Sequence, residues 1–162
     1  MGETRRIEVK GDDLRFAASH MTVMGGEAEP LHGHNYRVTA VLEGDLSPES
    51  WVFDFREIRR LVAEACRELD HRFILQRPSS VFQTTKQGRE WEIRTGGRRY
   101  VLPDSDVVAL PVDNCTAERL AEWLCGRIKE RLLELKATNL TTIRVGVEES
   151  PGQAAWFAED LA

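Results

Sequence analysis

The chain has 162 residues, 41% of them hydrophobic and 30% charged, the size of one domain with a sizeable core. Lys and Arg number 22 against 27 Asp and Glu, and the net charge of −5 disfavours non-specific nucleic-acid binding. No apolar run reaches membrane-spanning length and the MGETRRIEVKGDD start lacks a secretory signal's apolar core, so a soluble, globular, cytoplasmic protein is expected.

In chain order, residues 6–9 and 14–18 read as strands. Residues 35–43 (NYRVTAVLE) are rich in β-branched and aromatic side chains and run into the turn signal Gly44-Asp45, a further strand. Over 55–69 the apolar side chains Ile58, Leu61, Val62, Ala65, Cys66 and Leu69 recur at helical spacing, with Asp54 as the cap. Residues 72–115 are irregular. Within them, 91–94 and 99–102 flank Thr95-Gly96-Gly97-Arg98, a hairpin turn signal. A structureless loop of that length is improbable, so an inserted hairpin is expected within 76–112. From 117 to 136 a second apolar helix face runs through Leu120, Trp123, Leu124, Ile128, Leu132 and Leu135, capped by Thr116 or Asn114. Residues 141–148 and 154–158 pair through Ser150-Pro151-Gly152. The result is one α+β domain over 1–162, an antiparallel sheet with two helices on one face. Cys66, Cys115 and Cys125 are odd in number and lack C-x-x-C spacing, so they read as packed side chains rather than a disulfide or zinc framework.

Only four histidines occur: His20, His32, His34 and His71. Residues i and i+2 of a strand share a face, so His32 and His34 can offer both imidazoles to one ion. His20, at the end of the Phe16-Ala-Ala-Ser run, is the natural third. Three imidazoles with a fourth position free is the arrangement of a catalytic zinc. An isolated His-x-His also occurs as a strand pair without metal, and spacing alone leaves both readings open.

Phe16-Ala-Ala-Ser-His20, Leu31-His32-Gly33-His34-Asn35-Tyr36, Asp54-Phe55, Leu69-Asp70-His71, Thr116-Ala117-Glu118 and Glu148-Glu149-Ser150 resemble, in order, the blocks of the 6-pyruvoyl-tetrahydropterin synthase superfamily. The resemblance implies a tunnelling fold (ββααββ) whose copies assemble as a β-barrel, commonly a hexamer of two trimers with sites between subunits. It implies Zn²⁺ held by His20, His32 and His34, a small pterin substrate anchored by Glu149 near Thr116 and Glu118, and Asp70-His71 as an acid–base pair. A carboxylate can accept two parallel hydrogen bonds from a 2-aminopterin, and an Asp-oriented imidazole moves protons near neutral pH. Adjacent residues rarely hydrogen-bond side chain to side chain, so a pairing across a subunit boundary stays open beside one within the chain. Without the family, Glu149 is a strand-end carboxylate, and Thr116 and Glu118 are a helix cap and a first-turn acid.

The best-known members carry a catalytic cysteine four residues before the first histidine of H-G-H, where this chain has Ala28. Glu29 follows it, with Glu27 as a competing carboxylate. That pattern resembles a branch with glutamate in place of the cysteine, which cleaves 7,8-dihydroneopterin triphosphate to 6-hydroxymethyl-7,8-dihydropterin for folate biosynthesis. The implied enzyme is a zinc-dependent lyase with Glu29, Asp70 and His71 as catalytic residues. The alternatives are 6-pyruvoyl- or 6-carboxy-tetrahydropterin synthase activity, and a non-catalytic pterin- or purine-binding module. The hairpin region sets Lys86, Arg89, Arg94, Arg98 and Arg99 against Glu90 and Glu92, as a phosphate contact or as a solvated or oligomer-contacting face.

Overall fold

The long strand β5 organises the molecule, because both flanks of the sheet are built on it. In the computed structural model, which describes residues 3–161, β1 (Arg5–Val9) and β2 (Arg15–His20) precede a two-stranded hairpin of β3 (Val23–Met24) and β4 (Glu27–Ala28). β5 (His32–Gly44) follows, then helix α1 (Phe55–Leu69), β6 (Arg72–Leu75), β7 (Gln83–Gln87), β8 (Glu90–Thr95) and β9 (Arg98–Pro103). β10 (Val107–Ala109), helix α2 (Ala117–Glu134), β11 (Leu140–Ser150) and β12 (Gln153–Asp160) complete the chain.

Along one edge of β5, β2 pairs with its first half (His20↔His32 to Arg15↔Arg37) and β1 with its second (Val9↔Ala40 to Arg5↔Gly44). β11 pairs along the other edge, and β12 lies beyond it. All these pairings are antiparallel. β6 pairs parallel with β2, and β10 parallel with β6, so the sheet is antiparallel except at this end. α1 carries the chain across before β6, and β7–β9 carry it across before β10; the apolar runs Phe73-Ile74-Leu75 and Val107-Val108 are too short to reveal a strand period in the sequence.

Each helix starts on a side-chain cap. Asp54 Oδ1 accepts from Arg56 N at 2.7 Å, and Thr116 Oγ1 accepts from Arg119 N at 3.3 Å. The buried faces of both helices (Ile58, Leu61, Val62 and Leu69; Leu120, Leu124, Ile128 and Leu132) share one core with Phe16, Tyr36, Val38, Ile143 and Val145 from the sheet. α2 ends at Glu134, two residues before the end the periodicity suggests, and Lys136 has a φ of 54° in the left-handed region.

Residues 83–103 form a three-stranded meander. β8 and β9 pair in register Thr95↔Arg98 around Gly96 and Gly97, whose positive φ values (55° and 74°) suit a two-residue hairpin turn. Phe82 and Ile93 pack it onto Met21, Phe73, Leu75 and Val107, a small second core. Its charges are mostly paired internally: Arg94 and Arg99 with Glu92, and Lys86 with Asp104. Among the described residues no helix is long and apolar enough to cross a membrane.

Candidate active site

The β2–β5 register builds the site. It sets His20 opposite His32 and Ala18 opposite His34, and successive even-numbered residues of both strands face the helices. Phe16 and Tyr36 stack below them with ring centroids 4.6 Å apart, closing the floor. One ring nitrogen from each of His20, His32 and His34 lies within 4.8 Å of the others. His20 is fully buried, while the other two open towards solvent.

Hydrogen bonding fixes which nitrogens converge. His20 Nδ1 lies 2.8 Å from the Cys115 carbonyl and His32 Nδ1 lies 2.7 Å from the Pro30 carbonyl. A carbonyl only accepts, so both Nδ1 atoms carry the proton and both Nε2 atoms present lone pairs. Those Nε2 atoms are 3.1 Å apart. Two lone pairs at that distance repel unless a cation lies between them. Burial pulls the His20 pKa below its ordinary value, which disfavours a proton in that role. The triad therefore fits a metal ion, with the backbone carbonyls orienting the ligands.

Carboxylates surround the triad. Glu149 Oε1 lies 3.6 Å from His20 Nε2 and 3.5 Å from His34 Nε2. A β-bulge between Glu148 and Ser150 inserts Glu149 as the extra residue of β11, re-aiming its side chain. Glu29 Oε2 lies 3.9 Å from His32 Nε2 and accepts a 2.5 Å hydrogen bond from Thr22 Oγ1. Glu29, His32, His34, Thr116, Glu118 and Glu149 line one groove of about 590 Å³. Glu27 instead lines a groove on the far side of the β3–β4 hairpin, with Arg94 and Arg98.

Asp70 and His71 are paired within the chain, one of the two arrangements the sequence leaves open. Asp70 caps the end of α1 in extended backbone and His71 has a φ of 59°, which brings Asp70 Oδ2 to 3.0 Å from His71 Nδ1. Asp70 Oδ1 accepts from Ala17 N at 2.8 Å. Partial burial opposes ionisation, but the hydrogen bonds from Ala17 N and His71 prevail and hold the carboxyl below its ordinary range. His71 lines a groove with Ala17, Ser19, Gly33 and Asn35, sheet positions that alternate with the triad. His34 lines this groove too, but neither Asp70 nor His71 lines the groove of Glu29, His32 and Glu149.

All three thiols are buried, and burial pushes each pKa up to about 12. Cys115 nevertheless serves the site, through its carbonyl. Its N–H is held by Gln76 Oε1 at 3.0 Å. Thr22 and Asn114 also touch the site, Asn114 by bonding both backbone groups of Val23. Neither carries a motif: a lone threonine and a helix-cap candidate give no signal until the fold brings them in.

Residues 11–160 match the profile of the 6-pyruvoyl tetrahydropterin synthase family. The chain belongs to this family. It is 32% identical over 149 residues, 91% of either chain, to a Methanocaldococcus jannaschii protein named putative 6-carboxy-5,6,7,8-tetrahydropterin synthase. A Pyrococcus furiosus dihydroneopterin monophosphate aldolase is 39% identical over 57 residues, 35% of this chain and 48% of that one. Among solved structures, Plasmodium vivax 6-pyruvoyltetrahydropterin synthase superposes with a TM-score of 0.91 at 27% identity, covering 98% of this chain and 99% of that one. That structure is of a variant in which a glutamate, described as a catalytic residue, is replaced by alanine.

Proposed function

We propose that this chain is a zinc-dependent lyase that cleaves the side chain of 7,8-dihydroneopterin triphosphate, or of a less phosphorylated dihydroneopterin, to 6-hydroxymethyl-7,8-dihydropterin. The observation that carries this reading is the Glu29 carboxylate, 3.9 Å from His32 Nε2 in a groove that none of the buried thiols reaches. The glutamate named as catalytic in the Plasmodium vivax enzyme and the aldolase name of the Pyrococcus furiosus relative both support it.

His20, His32 and His34 would hold Zn²⁺, which would supply Lewis acidity towards the substrate's side-chain hydroxyls. Glu149 accepts the paired N–H groups of the 2-aminopterin, with Thr116 and Glu118 beside it in the groove. Glu29 takes the proton of the C2′ hydroxyl. The C2′ oxygen becomes a carbonyl, the C1′–C2′ bond breaks, and its electron pair moves into the C6=N5 imine of the ring. His71, oriented by Asp70, returns a proton to C1′. The products are the hydroxymethyl pterin and a two-carbon aldehyde that keeps the phosphates. Because His71 does not line the groove that holds Glu29 and Glu149 of its own chain, we assign that proton to His71 of a second copy in a homo-oligomer, a hexamer of two trimers by family resemblance.

A second reading, a 6-carboxy product, is favoured by the name of the Methanocaldococcus jannaschii relative. One assay separates the two. Zinc-loaded protein is incubated with 7,8-dihydroneopterin triphosphate and the pterins are identified by chromatography and mass spectrometry. A 6-hydroxymethyl product that disappears in Glu29→Ala while the metal stays bound supports cleavage. A 6-pyruvoyl or 6-carboxy product, or full activity in Glu29→Ala, overturns it.

A further inference from the structure

The Glu29 carboxylate sits on a short segment, and a short segment does not hold a base in position unaided. β3 and β4 contribute only two residues each, and they turn on Gly25 and Gly26 at φ of 60° and 83°. Three contacts hold this hairpin. Glu29 N donates to Thr22 O at 2.8 Å, adding a rung to the ladder just beyond Val23↔Ala28. Asn114 bonds the outward edge of Val23 from both ends of its amide, Oδ1 accepting from Val23 N at 3.0 Å and Nδ2 donating to Val23 O at 2.9 Å. Arg98, from the meander, donates to Ala28 O at 3.1 Å.

One contact acts on the carboxylate itself. Thr22 is 6% exposed, and its hydroxyl donates to Glu29 Oε2 at 2.5 Å. A hydroxyl so placed selects one rotamer of a glutamate that is otherwise free about three bonds. The bonded oxygen, Oε2, is also the one 3.9 Å from His32 Nε2, so the bond holds the carboxylate beside the triad. The same dipeptide that anchors the hairpin, Asn114-Cys115, also orients His20 through the Cys115 carbonyl, so base and ligand share one support.

We propose that Thr22 is the positioning residue for the Glu29 base, acting through its hydroxyl. This rests on the reading of Glu29 as the base. A Thr22→Val substitution keeps the shape and removes the donor, whereas Thr22→Ser keeps the donor.

The test measures kcat and KM for 6-hydroxymethyl-7,8-dihydropterin formation, with metal content and melting temperature, in Thr22→Val, Thr22→Ser and Glu29→Gln. Misplacing a catalytic group by about an ångström costs on the order of 100-fold, so Thr22→Val should lose about 10- to 100-fold in kcat. KM and bound metal should stay within about 2-fold, and Thr22→Ser should restore kcat to within about 3-fold. Wild-type kcat in Thr22→Val beside an inactive Glu29→Gln overturns the positioning role and leaves the base reading standing. So does an equal loss in Thr22→Ser, or a loss that follows metal content. Full activity in Glu29→Gln overturns the base reading, and the role of Thr22 falls with it.

Discussion

His20 Nε2 and His32 Nε2 stand 3.1 Å apart, and in the neutral form of each ring the proton lies on Nδ1, which donates to a backbone carbonyl. The metal-free protein thus holds two lone pairs face to face, and a metal ion relieves the repulsion. Ligand at a hundredfold over its dissociation constant raises stability by about 2.7 kcal/mol. His32→Ala should abolish that increment and change the stability of the metal-free protein by less than about 1 kcal/mol, since the side chain is half-exposed and its removal relieves the repulsion. Denaturant unfolding with and without Zn²⁺, and metal content by mass spectrometry, check this.

Gly33 separates the two strand histidines for a steric reason. A Cβ there would lie 2.8 Å from the Ala18 carbonyl oxygen on the neighbouring strand. Gly33→Ala should push β2 from β5 at the rung that carries the triad. The expected cost is about 1–3 kcal/mol of stability, with weakened metal affinity. Thermal melts and metal titration measure the two effects together.

Asp70 gives a pH dependence of known sign. Its folded pKa is lowered from the ordinary 3.8 by the hydrogen bonds from Ala17 N and His71, which outweigh the opposing effect of burial. A group with a depressed folded pKa contributes stability that is present above its unfolded value and lost as pH falls through the folded one. Wild type should therefore exceed Asp70→Asn in stability above pH 3.8, and the difference should vanish in stronger acid. Urea unfolding between neutral pH and pH 2 follows it.

Cys66, Cys115 and Cys125 should be silent in chemistry that depends on a thiolate. Each is at most 2% exposed, and burial raises each pKa to about 12. The native protein should therefore leave all three unmodified by a thiol reagent at pH 8, with turnover unchanged, while unfolding exposes all three. Labelling followed by mass spectrometry counts the modified residues.

Much of this molecule is legible in its sequence, for reasons that differ by element. Both helices are read directly because Ile58 to Leu69 and Leu120 to Leu132 repeat an apolar face over three turns or more, longer than chance periodicity persists. The histidine triad is read because strand residues two apart share a face, and β5 proves to begin at His32 itself. β6 and β10, of four and three residues, leave no period to read, so their parallel pairing does not appear in the pattern.

By itself, then, the sequence determines the helices, the strand histidines and the carboxylates available near them, because side-chain identity and spacing carry that information. The tertiary structure decides which carboxylate faces the triad. Glu29, just past the β3–β4 hairpin, lies 3.9 Å from His32 Nε2, whereas Glu27, on the hairpin, lines a separate groove with Arg94 and Arg98. It also decides that Asp70 and His71 meet within one chain, through a left-handed backbone at His71. Finally, it makes the carbonyls of Pro30 and Cys115 the partners that orient His32 and His20. Every residue has a carbonyl, so no residue type marks the two that matter; only the folded chain brings them within 3 Å of an imidazole.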